Sequence, residues 1–246
     1  MGARKRVERE FGVPFPGRIL ERARWTATRT ELPPDGVAFP WEAVFGRKAG
    51  RVVDLGCGNG RYLVQSALRR PLLDHLGIDL VPQAIFHAVR RSGERGLSNV
   101  RFAVADAQGF LFSEPESSLD EVHLYHPQPY YDAAKRERRM LTPELVAAAH
   151  RALKPGGLFV LQTDNPHYWR YIETTVPVLF FWTRLQGPWP DAPQGRTRRE
   201  ILARRKGLRI FRGFGTPRKE YGSEEVRSIV ARLPRPAFDA NRPRYR

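Results

Sequence analysis

The sequence predicts an α/β fold: a doubly wound, mostly parallel sheet covered by helices on both faces. Three observations predict it. From Trp41 onward short apolar runs alternate with helix-length segments. That rhythm implies right-handed crossovers between parallel strands. The first apolar run, Val52–Leu55, opens into a glycine turn, "DLGCGNG". The strands that follow end in polar residues, as they do where a ligand sits at the carboxyl edge of such a sheet.

The elements follow in order. Residues 1–30 are basic and interrupted by "VPFPG". They read as a poorly ordered arm with room for one helical turn. "LPPDGVAFP" is a loop by its Pro and Gly content. Val52–Leu55 is a strand, and Tyr62–Arg70 is a helix halted by Pro71. "HLGIDLV" is the second strand, and Pro82–Gly93 is a helix with proline in its first turn. "VRFAVADA" alternates as a strand and ends at Asp106, and "LDEVHLYHP" is a strand ending at Pro127. Thr142–Leu153 is a helix, Lys154–Gly157 a turn, and "LFVLQTD" a fifth strand. Phe180–Phe214 carries strand signals with charged interruptions and predicts an antiparallel edge hairpin. This gives a basic arm over 1–40, a main domain over 41–225 and a basic tail over 226–246.

Composition limits the function classes. The 246 residues fit one large domain, and 41% hydrophobic content supports a sizeable core. Cys57 stands alone, so no intramolecular disulfide or cysteine-rich zinc site is expected, and the setting reads as cytoplasmic. No run approaches the ~18 apolar residues of a membrane helix, and "MGARKRVERE" has no apolar signal core. The net charge of +16 favours a polyanionic partner, nucleic acid before membrane. Its arginine clusters, Arg4–Arg9, Lys135–Arg139 and Arg196–Lys219, read as RNA-phosphate contacts or as solvated faces.

The glycine turn narrows the ligand. A dinucleotide fingerprint needs glycine where Arg61 stands, and a phosphate loop needs a Gly-Lys pair that is missing. Asp54 would repel a pyrophosphate but suits a cationic ligand end. Asp79, 19 residues past Gly60, is placed for a ribose diol. With Asp106 ending the third strand, the pattern favours S-adenosylmethionine.

From Trp41 to Gly213 the chain resembles the bacterial tRNA (guanine-N(7)-)-methyltransferases. The resemblance is carried by "WEAVFGR", "ERGLSNVRF", "LKPGG" and the T-x-x-E of Thr197–Glu200. It implies a Rossmann-like class I methyltransferase with a seven-stranded sheet and an antiparallel C-terminal edge strand. It further implies that Asp54, Gly56, Gly58, Gly60, Asp79, Asp106, Ala107 and Gln128 contact S-adenosylmethionine. Asp132, Asp164, Thr197, Arg198, Arg199 and Glu200 would contact guanine in the variable loop of tRNA, the product being 7-methylguanosine. The partner is tRNA, with no metal and no membrane, and the protein is expected as a monomer or homodimer. One segment departs from the family. Its P-D-P-W reads "PQPY" here, with Gln128 at the acid, Tyr130 at the tryptophan and Asp132 at a basic position. Gln128 is the catalytic candidate on that ground.

Two other readings stay open. The chain is a methyltransferase of this lineage with another RNA or small-molecule substrate, or an RNA-binding partner subunit without chemistry. Tyr130 and Tyr131 read equally as base-stacking rings or as a hydrophobic lip. His126 reads as structural, Cys57 as a small side chain that fits the turn, and His123 and His126 as no metal site.

Overall fold

A computed structural model describes residues 7–240. Arg4, Lys5 and Arg6 of the first cluster and residues 241–246 of the tail lie outside the described residues.

The arm takes a defined course. β1 (Arg9–Glu10) and β2 (Val13–Pro14) form an antiparallel hairpin, followed by a 3-10 turn at Arg22–Arg24. Acids dock it. Glu8 pairs with Arg90, Arg91 and Arg95, and Glu10 pairs with Arg61 and Arg91. The Phe15 ring is buried under the guanidinium groups of Arg91 and Arg95.

The main domain then alternates: α1 (Trp41–Phe45), β3 (Gly50–Leu55), α2 (Arg61–Arg69), β4 (Leu73–Asp79), α3 (Pro82–Gly93), β5 (Val100–Val104), α4 (Ala107–Ser113), β6 (Leu119–Tyr125), α5 (Pro143–Ala152) and β7 (Leu153–Thr163). It closes with α6 (Pro166–Thr175), β8 (Phe180–Arg184), α7 (Arg198–Arg205), β9 (Phe211–Pro217) and α8 (Ser223–Ala231). The seven-stranded sheet has the order β5-β4-β3-β6-β7-β9-β8. β3 to β7 run parallel, and β9 and β8 add antiparallel pairs at the edge, as the sequence predicts.

Local chemistry explains the boundaries. Val52, Val53 and Leu55 are fully buried because helices cover both faces of a parallel strand. Pro82 opens α3 and Pro143 opens α5, where a missing N–H costs nothing. Thr142 caps α5 and Asp106 caps α4 by accepting backbone N–H bonds. The turn expected at Lys154–Gly157 lies inside β7 instead. Leu119 pairs with Leu153 and Glu121 with Leu158, so "KPGG" bulges out between two ladder pairs. Lys154 anchors the bulge to Asp120 at 2.8 Å.

The last described residues fold back on the domain. Arg139 is 1% exposed and donates to the carbonyls of Pro129, Tyr130, Pro236 and Phe238. Asn165 donates to the Ala240 carbonyl. The loop after β6 is thereby fastened to residues 236–240.

Candidate active site

The chain steps from β3 to β4 on one side of the sheet, while β6 lies on the other. The carboxyl ends of β3 and β6 therefore flank the switch point, where an open α/β sheet leaves a crevice. A cavity of about 710 Å³ opens there. Its floor holds Asp54, Gly56, Gly58, Tyr62, Tyr125 and His126. Glu10 of the hairpin and Thr197, Arg198 and Arg199 of the α7 start complete its walls.

Asp54 is 1% exposed, and its Oδ1 has no hydrogen-bond partner within the protein. Burial, reinforced by the neighbouring Asp79, pushes its carboxyl well above the usual range. An unpartnered buried carboxyl is costly unless a ligand donor completes it. Gly56 and Gly58 both have positive φ, and a Cβ on either would meet only open space. The turn therefore presents bare backbone to the cavity. This is a cradle for a ligand with a cationic group and a flat face, and it fits S-adenosylmethionine.

Other expected cofactor positions carry structural contacts of their own. A Cβ on Gly60 would lie 2.8 Å from the Ala88 Cβ and 2.9 Å from the Phe102 ring, so close helix–sheet packing requires glycine there. Asp79 accepts from the amides of Gly58 (2.8 Å) and Val81 (2.9 Å) and so shapes the glycine turn. Asp106 lines a separate cleft of about 380 Å³ with Arg29 and Asp35, and Ala107 is buried behind it. Gln128 is exposed on the loop after β6 and does not line the main cavity.

The expected substrate residues separate likewise. Asp164 ends β7 and accepts from His126 Nδ1 at 2.9 Å, and its other oxygen pairs with Arg199 at 2.5 Å. Thr197 caps α7 through the Glu200 amide and lines the cavity beside Arg198. Glu200 is fully buried and points away. It binds Arg212 at 2.5 Å, the Arg196 amide at 2.9 Å and Gln162 at 3.1 Å. Asp132 is exposed, caps the 3-10 turn Ala133–Arg138 and reaches Lys135 at 3.7 Å.

A chain of hydrogen bonds sets the His126 tautomer. The Trp189 indole N–H can only donate, so Gln162 Oε1 accepts from it. The Gln162 amide nitrogen therefore faces Glu200 and His126 and donates to His126 Nε2 at 2.7 Å. That leaves the proton on Nδ1, which donates to Asp164. His126 is held in this orientation, with a backbone φ of 51° that its own contacts stabilise. Tyr130, further along the same loop, also has positive φ, at 42°.

Burial alone would raise the Asp164 carboxyl, but His126 and Arg199 outweigh it and hold the group at about 2. A depressed pKa adds stability that is complete above the unfolded value near 4 and is lost as pH falls toward 2. Wild type should lose ~2 kcal/mol across that window through this group, and Asp164→Asn should flatten that limb. Urea titrations between pH 2 and 5 measure it. Equal pH slopes for both proteins would contradict the assignment.

Sequence reading missed several wall residues. Glu10, Arg61 and Arg91 line the cavity as one ion-paired group, spread over 81 positions. Beneath the floor, His123 bonds the Tyr62 and Tyr125 hydroxyls at 2.9 and 3.0 Å. The only available signal for Glu10 was an acid inside a basic arm. Among the described residues, no group of three or more His, Cys, Asp or Glu is arranged to hold a metal.

A switch-point cavity with a bare glycine turn and an unpaired acid, on a seven-stranded sheet with an antiparallel edge, defines a class I methyltransferase. Known proteins agree. Residues 48–212 match the family profile Methyltransf_4, described as "Putative methyltransferase". The tRNA (guanine-N(7)-)-methyltransferase of Alkalilimnicola ehrlichii is 35% identical over 186 residues, covering 75% of this chain and 78% of that protein. The enzyme of the same name from Alcanivorax borkumensis is 32% identical, covering 70% and 72%. The chain belongs to this tRNA (guanine-N(7)-)-methyltransferase family. Among solved structures, the 16S rRNA methyltransferase KamB superimposes with a TM-score of 0.52 at 18% identity, over 72% of this chain and 92% of that one. A 16S rRNA (adenine(1408)-N(1))-methyltransferase from Catenulisporales acidiphilia gives 0.50 at 15% identity, over 76% and 92%. These two share the fold.

Proposed function

We propose that the protein transfers the methyl group of S-adenosylmethionine to N7 of a guanine in tRNA. Family membership supports the reading, and the unpaired Asp54 carboxyl beside the bare glycine turn is the observation that carries it. Asp54 and the turn from Gly56 to Gly58 hold the cofactor, which when bound supplies an activated sulfonium methyl. Guanine N7 has a lone pair and no proton, so the chain needs no general base. Its task is orientation, worth up to ~7–11 kcal/mol in well-placed systems. Asp164 stays ionised and lies next to the cavity wall beside Arg199, so it can accept N–H donors from the guanine edge.

The basic clusters divide into two uses. Arg139, Arg196 and Arg212 are taken up inside the protein. Lys135, Arg138, Arg198, Arg204, Arg205 and Arg209 are exposed and offer contacts to RNA phosphates. No helix among the described residues is long and apolar enough to cross a membrane. With tRNA as substrate, the cytoplasm is the proposed location.

The test is methyl transfer from labelled cofactor to unmodified bulk tRNA, with nucleoside mapping. The expected product is 7-methylguanosine, and label in any other nucleoside favours the second reading, another substrate for this lineage. The "PQPY" departure supports that second reading. Gln128→Asp separates them. It should raise tRNA methylation if guanine N7 is the target, because an acid there stabilises the charge arriving on the ring.

A further inference from the structure

The residues that line the cavity include one with an orphaned acceptor and one with an orphaned donor. Arg61 is the first residue of α2, and its side chain is 4% exposed. Its Nη1 donates to Glu10 at 3.2 Å, and its Nη2 donates to the Pro14 carbonyl at 2.7 Å. Its Nε is buried with no partner within the protein. Arg61 lines the same cavity as Asp54, and it also borders a second cleft of about 440 Å³ beside Pro14 and Gln65. The two residues flank the glycine turn, one at the end of β3 and the other at the start of α2.

The surroundings strengthen the positive pole. Gly60 gives α2 no side-chain cap, and only the Arg61 amide finds a side-chain acceptor, Asn59 Oδ1 at 3.4 Å, so the helix start keeps partial positive charge. Arg91 lines the same wall. Glu10 binds Nη1 of both arginines, which leaves Arg61 fixed in place with its Nε–H unsatisfied. A guanidinium nitrogen is always protonated, so Nε can only donate. Asp54 Oδ1 can accept. One small group satisfies both: a carbon bearing an ammonium and a carboxylate.

We propose that Arg61 binds the carboxylate at the amino-acid end of S-adenosylmethionine while Asp54 takes the adjacent ammonium. The inference rests on the reading of the cavity as the cofactor site. Arg61, whose side chain rules out a dinucleotide turn, is on this account a cofactor-selecting residue.

Calorimetry on the full chain tests it with three probes: S-adenosylmethionine, its decarboxylated form, and methylthioadenosine, which lacks the amino-acid end. Wild type should bind the intact cofactor about 10- to 100-fold more tightly than the decarboxylated form, the size of one charge-assisted contact. Arg61→Gln should abolish that preference and leave methylthioadenosine binding unchanged. Arg61→Lys keeps a cation for Glu10 and guards against loss of folding. It should also lose most of the preference, because it lacks the Nε–H. Variants that keep the wild-type preference overturn the assignment, as does a wild type that binds both forms equally. A folded wild type that binds none of the three overturns the cofactor reading itself, and this inference with it.

Discussion

Glu200→Ala should cost about 3–5 kcal/mol of stability, the range for removing one partner of a buried ion pair. Arg212 is 6% exposed, and its Nε has no partner within the protein even in the intact chain. Without Glu200 its charge is buried and uncompensated. The loss reaches the site as well. Glu200 fixes the amide of Gln162, and Gln162 holds His126 in its Nδ1–H tautomer against Asp164. Urea denaturation followed by fluorescence should show a lower midpoint with an unchanged slope. The double variant Glu200→Ala/Arg212→Met should recover part of the loss, because it removes the stranded charge. A single variant as stable as wild type would mean that water reaches the pair.

Asp54→Asn should move two quantities in opposite directions. Cofactor affinity should fall at least ~10-fold, since a charge-assisted contact to the ammonium is lost. Stability without ligand should rise. Burial and the nearby Asp79 raise the Asp54 pKa in the folded state. Between the ordinary carboxyl value and that raised one, the folded chain binds more protons than the unfolded chain. Stability therefore falls as pH rises through that window. The asparagine has no such slope. Thermal melts from pH 4 to 8 without ligand should separate the two proteins progressively, and saturating cofactor should close the gap. A variant less stable than wild type at pH 7 would show that Asp54 has a partner in the empty site. The position trades stability for binding, as functional sites commonly do.

Local rules carried much of the fold. Pro82, Pro143 and the apolar run at Val52 mark boundaries by backbone chemistry that acts within a few residues. Long-range pairing was less accessible. Thr197 and Glu200 have the spacing of a capping box, and the backbone half of it forms. The Glu200 side chain leaves the box for Arg212, which only the β9 pairing brings near. Glu10 and Arg61 meet from 51 positions apart. The arm's acids, Glu8 and Glu10, dock it on arginines far along the chain, which no local rule makes legible. The Arg196–Lys219 cluster was legible as charge, but not as a mixture of internal struts and exposed cations.

The clamp at Arg139 bears on the order in which the protein matures. The loop from Pro127 to Tyr131 is made about a hundred residues before its clamp is completed by the carbonyls of Pro236 and Phe238. Domains generally fold as units. The segment bearing Gln128 therefore waits for residues made about a hundred positions later. A nascent chain lacks a fastened β6 loop until residues 236–240 have been made.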